Sequence, residues 1–133
     1  MKTSIPLTWR RIPERYRLLG SSCTTCKTNY FPKRNICPHC RRKGKIVEKQ
    51  YSGKGRVFSF TEIFAAAQGF EDQAPYVLAI IELVEGAKLT AQVVDCHLKD
   101  VTIGDSVESV FRVIQRDDPD GLIHYGFKFR LVK

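Results

Sequence analysis

The chain has 133 residues, room for one ordinary domain or for a small barrel with a minimal appendage. Hydrophobic residues make up 43% and charged residues 27%, a soluble globular balance, and no stretch approaches the ~20 apolar residues of a membrane helix, so no membrane contact is expected. The net charge of +8 is uneven: residues 1–50 carry 13 Lys+Arg against Glu14 and Glu48, a net of +11, while residues 51–133 carry 9 against 12 Asp+Glu, a net of −3. A basic front end draws polyanions, whether nucleic acid, a phosphorylated cofactor or an acidic protein face, although a merely solvated surface has the same composition.

The opening Met1-Lys2-Thr3-Ser4-Ile5-Pro6 lacks the apolar core of a signal peptide, so the expected location is cytoplasmic. In that reducing compartment the five cysteines point to metal rather than to disulfides. Residues 1–20 read as a helical N-terminal segment broken by Pro13, with Trp9, Ile12, Tyr16 and Leu19 forming a one-sided apolar stripe. Pro13 and Glu14 suit the first turn of a second helix, and Gly20 is the expected stop. So short a segment must dock its stripe on something, the rest of the chain or another protein.

Residues 21–45 contain two Cys-x-x-Cys pairs, the aromatics Tyr30 and Phe31, many cations and no long apolar run. Residues 46–133 change character, with strand patterns at 56–61, 76–81, 89–94, 106–114 and 123–132. Turn formers separate them: Glu85-Gly86, Gly104-Asp105 and Asp117-Asp118-Pro119-Asp120-Gly121. Five strands in about 80 residues predict a small barrel, an OB-fold first and an SH3-type barrel second. The fold class is therefore mainly β: a five-stranded OB-fold barrel preceded by a short helical segment and a rubredoxin-like zinc ribbon.

Cys23-Thr24-Thr25-Cys26 and Cys37-Pro38-His39-Cys40 lie ten residues apart. Two tight turns can each aim two thiolates at one point, giving the four-sulfur tetrahedral shell that zinc prefers and iron also accepts. A closed shell has no open position for substrate, so the site reads as structural, and a metal explains how so polar a stretch holds a shape. A redox dithiol is the competing reading. His39 reads as a surface residue or one that supports the ligands from behind, Cys96 as a buried inert thiol because its neighbour His97 would point the opposite way in a strand, and nothing in the pattern gives His124 a role. Asp117, Asp118 and Asp120 fit a hairpin turn better than a metal loop. No phosphate loop, Ser-His-Asp arrangement or pair of catalytic acids is visible, so no catalytic residue is assigned.

These residues resemble a known family. Cys23-x-x-Cys26, Phe31-Pro32-Lys33-Arg34 and Cys37-Pro38-x-Cys40 are similar to the ribbon of the acyl-CoA-associated OB-fold proteins, long catalogued as a domain of unknown function. The likeness continues through residues 51–61, Pro75-Tyr76, Leu83-Val84-Glu85-Gly86, Ile103-Gly104-Asp105 and Tyr125-Gly126-Phe127-Lys128-Phe129, and residues 9–16 resemble the helical lead of archaeal members. Lys33 departs from the pattern, where many members have a second proline. The resemblance implies a non-catalytic partner of thiolase-fold enzymes, such as acetyl-CoA acetyltransferase, hydroxymethylglutaryl-CoA synthase, lipid-transfer-type thiolases and steroid-degrading aldolases. It also implies a coenzyme A or acyl-CoA ligand, for which Lys33, Arg34, Arg41, Arg42 and Lys43 are the candidate phosphate contacts and Tyr30 and Phe31 the candidate lining. Tyr30 and Phe31 covering the zinc knuckle is the competing reading.

Two other functions fit the sequence. A zinc ribbon, an OB barrel and basic residues are also the parts of a single-stranded nucleic-acid binder, although a barrel netting −3 does not suit a phosphate track. A stand-alone acyl-CoA hydrolase or transferase lacks a nucleophile–base pair. The expected organisation is a helical segment at 1–20, a zinc ribbon at 21–45 and the OB-fold domain at 46–133.

Overall fold

A computed structural model describes residues 4–116 and 122–132, so the turn read at residues 117–121 lies outside the described residues. Two short helices, α1 (Ile5–Arg10) and α2 (Ile12–Arg17), lead into three short strands, β1 (Leu19–Cys23), β2 (Asn29–Tyr30) and β3 (Ile46–Gln50). Five longer strands follow: β4 (Lys54–Ile63), β5 (Tyr76–Leu83), β6 (Lys88–Val94), β7 (Ser106–Arg116) and β8 (Ile123–Leu131). All five strands expected from the pattern are present.

The five close into a barrel in the order β4-β5-β6-β8-β7, with β7 returning to β4. Every pairing is antiparallel except β6 with β8, where Val93 meets Phe129 and Val94 meets Arg130. That order is the OB arrangement, not the SH3-type alternative. Successive strand residues point to opposite sides, so Val77, Ala79, Ile81 and Leu83 of β5 enter the core with Leu89, Ala91 and Val93 of β6. Phe129 of β8 and Val57 of β4 join them. The β5–β6 turn needs positive φ, and Gly86 supplies it at 97°.

The helical lead differs from expectation at its end. Ser4 caps α1, its hydroxyl accepting the Leu7 N–H at 3.2 Å, and prolines occupy the first turns of both helices. The stop, however, is Leu18, left-handed at φ 49°, while Gly20 lies within β1. A left-handed Leu costs about 1–2 kcal/mol. Burying its side chain in the barrel core, where it is 3% exposed, offsets this with about 1.5–3 kcal/mol. A Cβ on Gly20 would strike the Tyr51 ring, which is why the smallest residue stands there.

Residues 21–45 also hold more regular structure than their pattern suggests. β1 pairs with β2 on one side and β3 on the other, so the cysteine segment is framed by a three-stranded sheet. The sheet is bound to the barrel through Tyr51, 3% exposed, whose hydroxyl lies 2.9 Å from Ser21 O and 2.8 Å from Tyr30 O. Phe31 joins the same junction, edge-on to Tyr51 and to Phe127 of β8. On the other side Asn29 Nδ2 donates to Glu85 O at 2.7 Å, and Glu85 itself accepts from the Ser52 N–H at 3.1 Å.

Candidate metal centre and its surroundings

Each Cys-x-x-Cys pair sits on a turn closed by a left-handed residue, Lys27 at φ 60° after the first and Arg41 at φ 52° after the second. Backbone bonds hold the first loop, with Cys23 N–H donating to Thr28 O and Thr24 N–H to Lys45 O, both at 2.9 Å. In the second, Arg41 N–H donates to Cys37 O at 2.8 Å and Lys43 N–H to Cys40 O at 3.0 Å. The result brings the Sγ atoms of Cys23, Cys26, Cys37 and Cys40 within 4.8 Å of one another. Cys26 and Cys37 are 3.5 Å apart, and Cys23 and Cys40 are 3.9 Å apart. Four sulfurs about 2.3 Å from one tetrahedral ion stand about 3.8 Å from each other, so the cluster fits zinc.

Without an ion, the thiols of Cys37 and Cys40 are pulled in opposite directions. Tyr30 places its hydroxyl 3.3 Å from Cys37 Sγ, and this contact, with the Cys40 backbone N–H at 3.4 Å, holds the Cys37 thiol down to about 6. The same contact pushes Tyr30 up to about 12. Backbone N–H groups, that of Cys26 foremost, lower Cys23 as well. Burial first, and sharing hydrogen bonds with the other thiols second, pushes Cys40 up to about 12. Four thiolates cannot crowd together unaided; a divalent cation at their centre removes that opposition.

The remaining sequence candidates separate. Tyr30 caps the cluster, with Arg34 stacked over its ring at 5.3 Å. Phe31 belongs to the junction with the barrel. Lys33 pairs with Glu48 at 2.6 Å, holding that carboxyl below its usual range. Arg41, Arg42 and Lys43 face solvent on the second knuckle. His39 is exposed and outside the cluster. Cys96 packs against the core but is only half-buried, less enclosed than expected, and lies on a bend after β6, not in a strand. Its sequence neighbour His97 caps the short helical turn Leu98–Asp100 reciprocally with Asp100.

Over 98% of both chains, 52% of residues are identical to those of a DUF35 domain-containing scaffold protein of Methanothermobacter thermautotrophicus. The chain belongs to this DUF35 family. A DUF35 scaffold protein of Methanocaldococcus jannaschii is 54% identical over 94% of this chain and 89% of its own. Two family profiles divide the molecule, the rubredoxin-like zinc ribbon domain of ChsH2 at residues 10–45 and the C-terminal OB-fold domain of ChsH2 at residues 48–112. The solved Ltp2-ChsH2(DUF35) aldolase matches with a TM-score of 0.70 and 26% identity, covering 98% of this chain and 96% of that one.

One residue of this DUF35 chain that motif reading missed is Gly44. A Cβ there would lie 2.9 Å from Cys40 Cβ, 3.0 Å from Cys37 Cβ and 3.3 Å from Cys23 Sγ, so only a bare backbone passes behind the cluster. Gly44→Ala will force the ligands apart at a cost of about 1–3 kcal/mol, read as faster zinc loss to a competing chelator. The signal was a glycine four residues past the last ligand, indistinguishable in sequence from any loop glycine.

Proposed function

We propose that the chain is a non-catalytic cytoplasmic scaffold that holds one structural zinc through Cys23, Cys26, Cys37 and Cys40, docks a thiolase-fold enzyme, and helps bind or pass acyl-CoA. The observation that carries the docking surface is α1. Ile5 is 71% exposed and Trp9 74%, whereas Tyr16 on α2 packs edge-on against Phe111 of β7 at 5.0 Å. The lead is thus anchored by its second helix and offers its first to a partner, and a buried aromatic anchor is the usual centre of such an interface. The names carried by the relatives, scaffold proteins and an Ltp2-ChsH2(DUF35) aldolase, support this reading. Within it, α1 and α2 serve docking, the β1–β3 sheet with its cysteine loops the zinc, and β4 to β8 form the barrel, so the ribbon runs a few residues beyond the expected 21–45 at each end.

For coenzyme A phosphates, Arg41 and Arg42 are the groups best placed, facing solvent beside the rigid knuckle; Lys33 and Arg34 stand next to them but already engage Glu48 and Tyr30. The barrel gives the nucleic-acid alternative little support. Among the described residues, its arginines at 56, 112 and 130 pair with Glu82, Asp95 and Glu108, which offsets part of the positive charge along those strands.

Co-expression with acetyl-CoA acetyltransferase and hydroxymethylglutaryl-CoA synthase tests the scaffold directly. The enzymes are expected to copurify with this chain, while the chain alone turns over no acyl-CoA. Trp9→Asp will abolish capture yet move unfolding stability by no more than about 0.5 kcal/mol, because the indole is exposed in the free chain. Unchanged capture by a chain lacking residues 1–11 would sink the proposed interface.

A further inference from the structure

A cavity of about 490 Å³ lies between α2, the β4–β5 loop and strands β5 to β8, remote from the cysteine cluster in its lining and unassigned by the scaffold reading. Its size is that of a small-molecule site. Phe70, Tyr76, Leu78 and Ile114 make most of its wall apolar. Into this wall come Lys128, 6% exposed, and Gln92, 8% exposed. Arg15 of α2 adds a second cation at the rim, and none of the described residues that line the space is acidic.

Lys128 is the unusual group. An ammonium buried in apolar surroundings is costly unless it is paired, and natural proteins almost never leave one so. Here Nζ donates to Gln73 Oε1 at 2.6 Å, and Gln73 Nε2 in turn donates to Ile114 O at 2.7 Å. A neutral amide fixes the ammonium's position without neutralising it. Among the described residues no carboxylate forms an ion pair with Lys128. Burial first, and the Arg112 charge second, hold it below the usual lysine range, the direction expected of a cation short of a counter-charge.

We propose that this cavity binds a small carboxylic acid with an apolar body, its carboxylate on Lys128 and its hydrocarbon against Leu78 and Ile114. The carboxylate supplies the missing charge, and an ammonium has donors to spare after its bond to Gln73. The apolar wall rewards a hydrocarbon tail and disfavours a polyanion. A thioester carbonyl carries no charge, so the site is a different proposition from acyl-CoA binding and stands or falls without it.

Hexanoate and its uncharged counterpart hexanamide make the test, titrated by NMR into zinc-loaded protein while the ring protons of His124 and Tyr125, both in the lining, are followed. Hexanoate is expected to bind at least about tenfold tighter than the amide, the worth of a charge-assisted hydrogen bond, and Lys128→Met to abolish that preference. Leu78→Trp, which fills the cavity without touching the lysine, is expected to abolish binding of both. Equal affinity for acid and amide, a preference that survives Lys128→Met, wild-type hexanoate affinity in Leu78→Trp, or no binding of hexanoate at millimolar concentration would each overturn the assignment.

Discussion

A strong chelator will strip stoichiometric zinc from the protein and unfold residues 19–50 ahead of the barrel. The framing sheet cannot hold itself together: its buried residues are chiefly Ser21, Cys23 and Cys37, and two of those are ligands. Metal binding contributes about 10–16 kcal/mol in small zinc modules, far more than so little apolar burial could. Hydrogen exchange before and after chelation reads the effect, as rapid loss of amide protection in β1 and β3 while β5 and β6 remain slow. Cys37→Ser will do the same without chelator, because it removes one of the four sulfurs, the one that meets the Tyr30 hydroxyl at 3.3 Å. Native protein without bound metal, or a ribbon equally protected after chelation, contradicts the zinc assignment.

Tyr51→Ala will be the most damaging single change outside the cysteines, at about 3–5 kcal/mol in urea unfolding. The ring fills the space between Gly20 and Phe31, and its hydroxyl reaches two carbonyls of the ribbon sheet. Tyr51→Phe separates the contributions. It keeps the ring and leaves those carbonyls short of one donor, for about 1–2 kcal/mol. If both variants unfold with wild-type midpoints, ribbon and barrel are not held by this residue. A second consequence is communication between the parts: Tyr51→Ala should also speed zinc loss, although the side chain touches no sulfur.

Much of this architecture was legible beforehand, for definite reasons. The barrel strands announce themselves because one side of each is buried, so apolar residues recur at every second position, as in Val77, Ala79, Ile81 and Leu83. The four-thiol cluster was legible because two Cys-x-x-Cys turns can each aim a pair of sulfurs at one point. The ribbon strands were not. β1 reads Leu-Gly-Ser-Ser-Cys, and its fully buried Ser21 faces inward to accept the Arg34 N–H at 2.9 Å, where a pattern search expects an apolar residue. Gly20 reads as a helix stop because glycine often ends helices; here its lack of a side chain admits a tyrosine ring.

The cavity was illegible for a related reason. In Phe127-Lys128-Phe129 the lysine occupies the polar phase of a strand alternation and reads as solvent-facing. The β4–β5 loop, arriving through Gln73 from 55 residues away, is bonded to it across the cavity side. Likewise, Trp9 and Tyr16 belong to one stripe in sequence, but the break at Arg11 divides their fates, one left in water and the other against Phe111.

The placement of β8 between β6 and β7 has a consequence for biosynthesis. The barrel wall stays open until residues 123–131 have left the ribosome, since that strand supplies Phe129 and bonds to both neighbours at once. The four sulfur ligands and all three strands around them are made by Gln50. The ribbon is therefore complete, and able to take up its metal, before the barrel can close during translation.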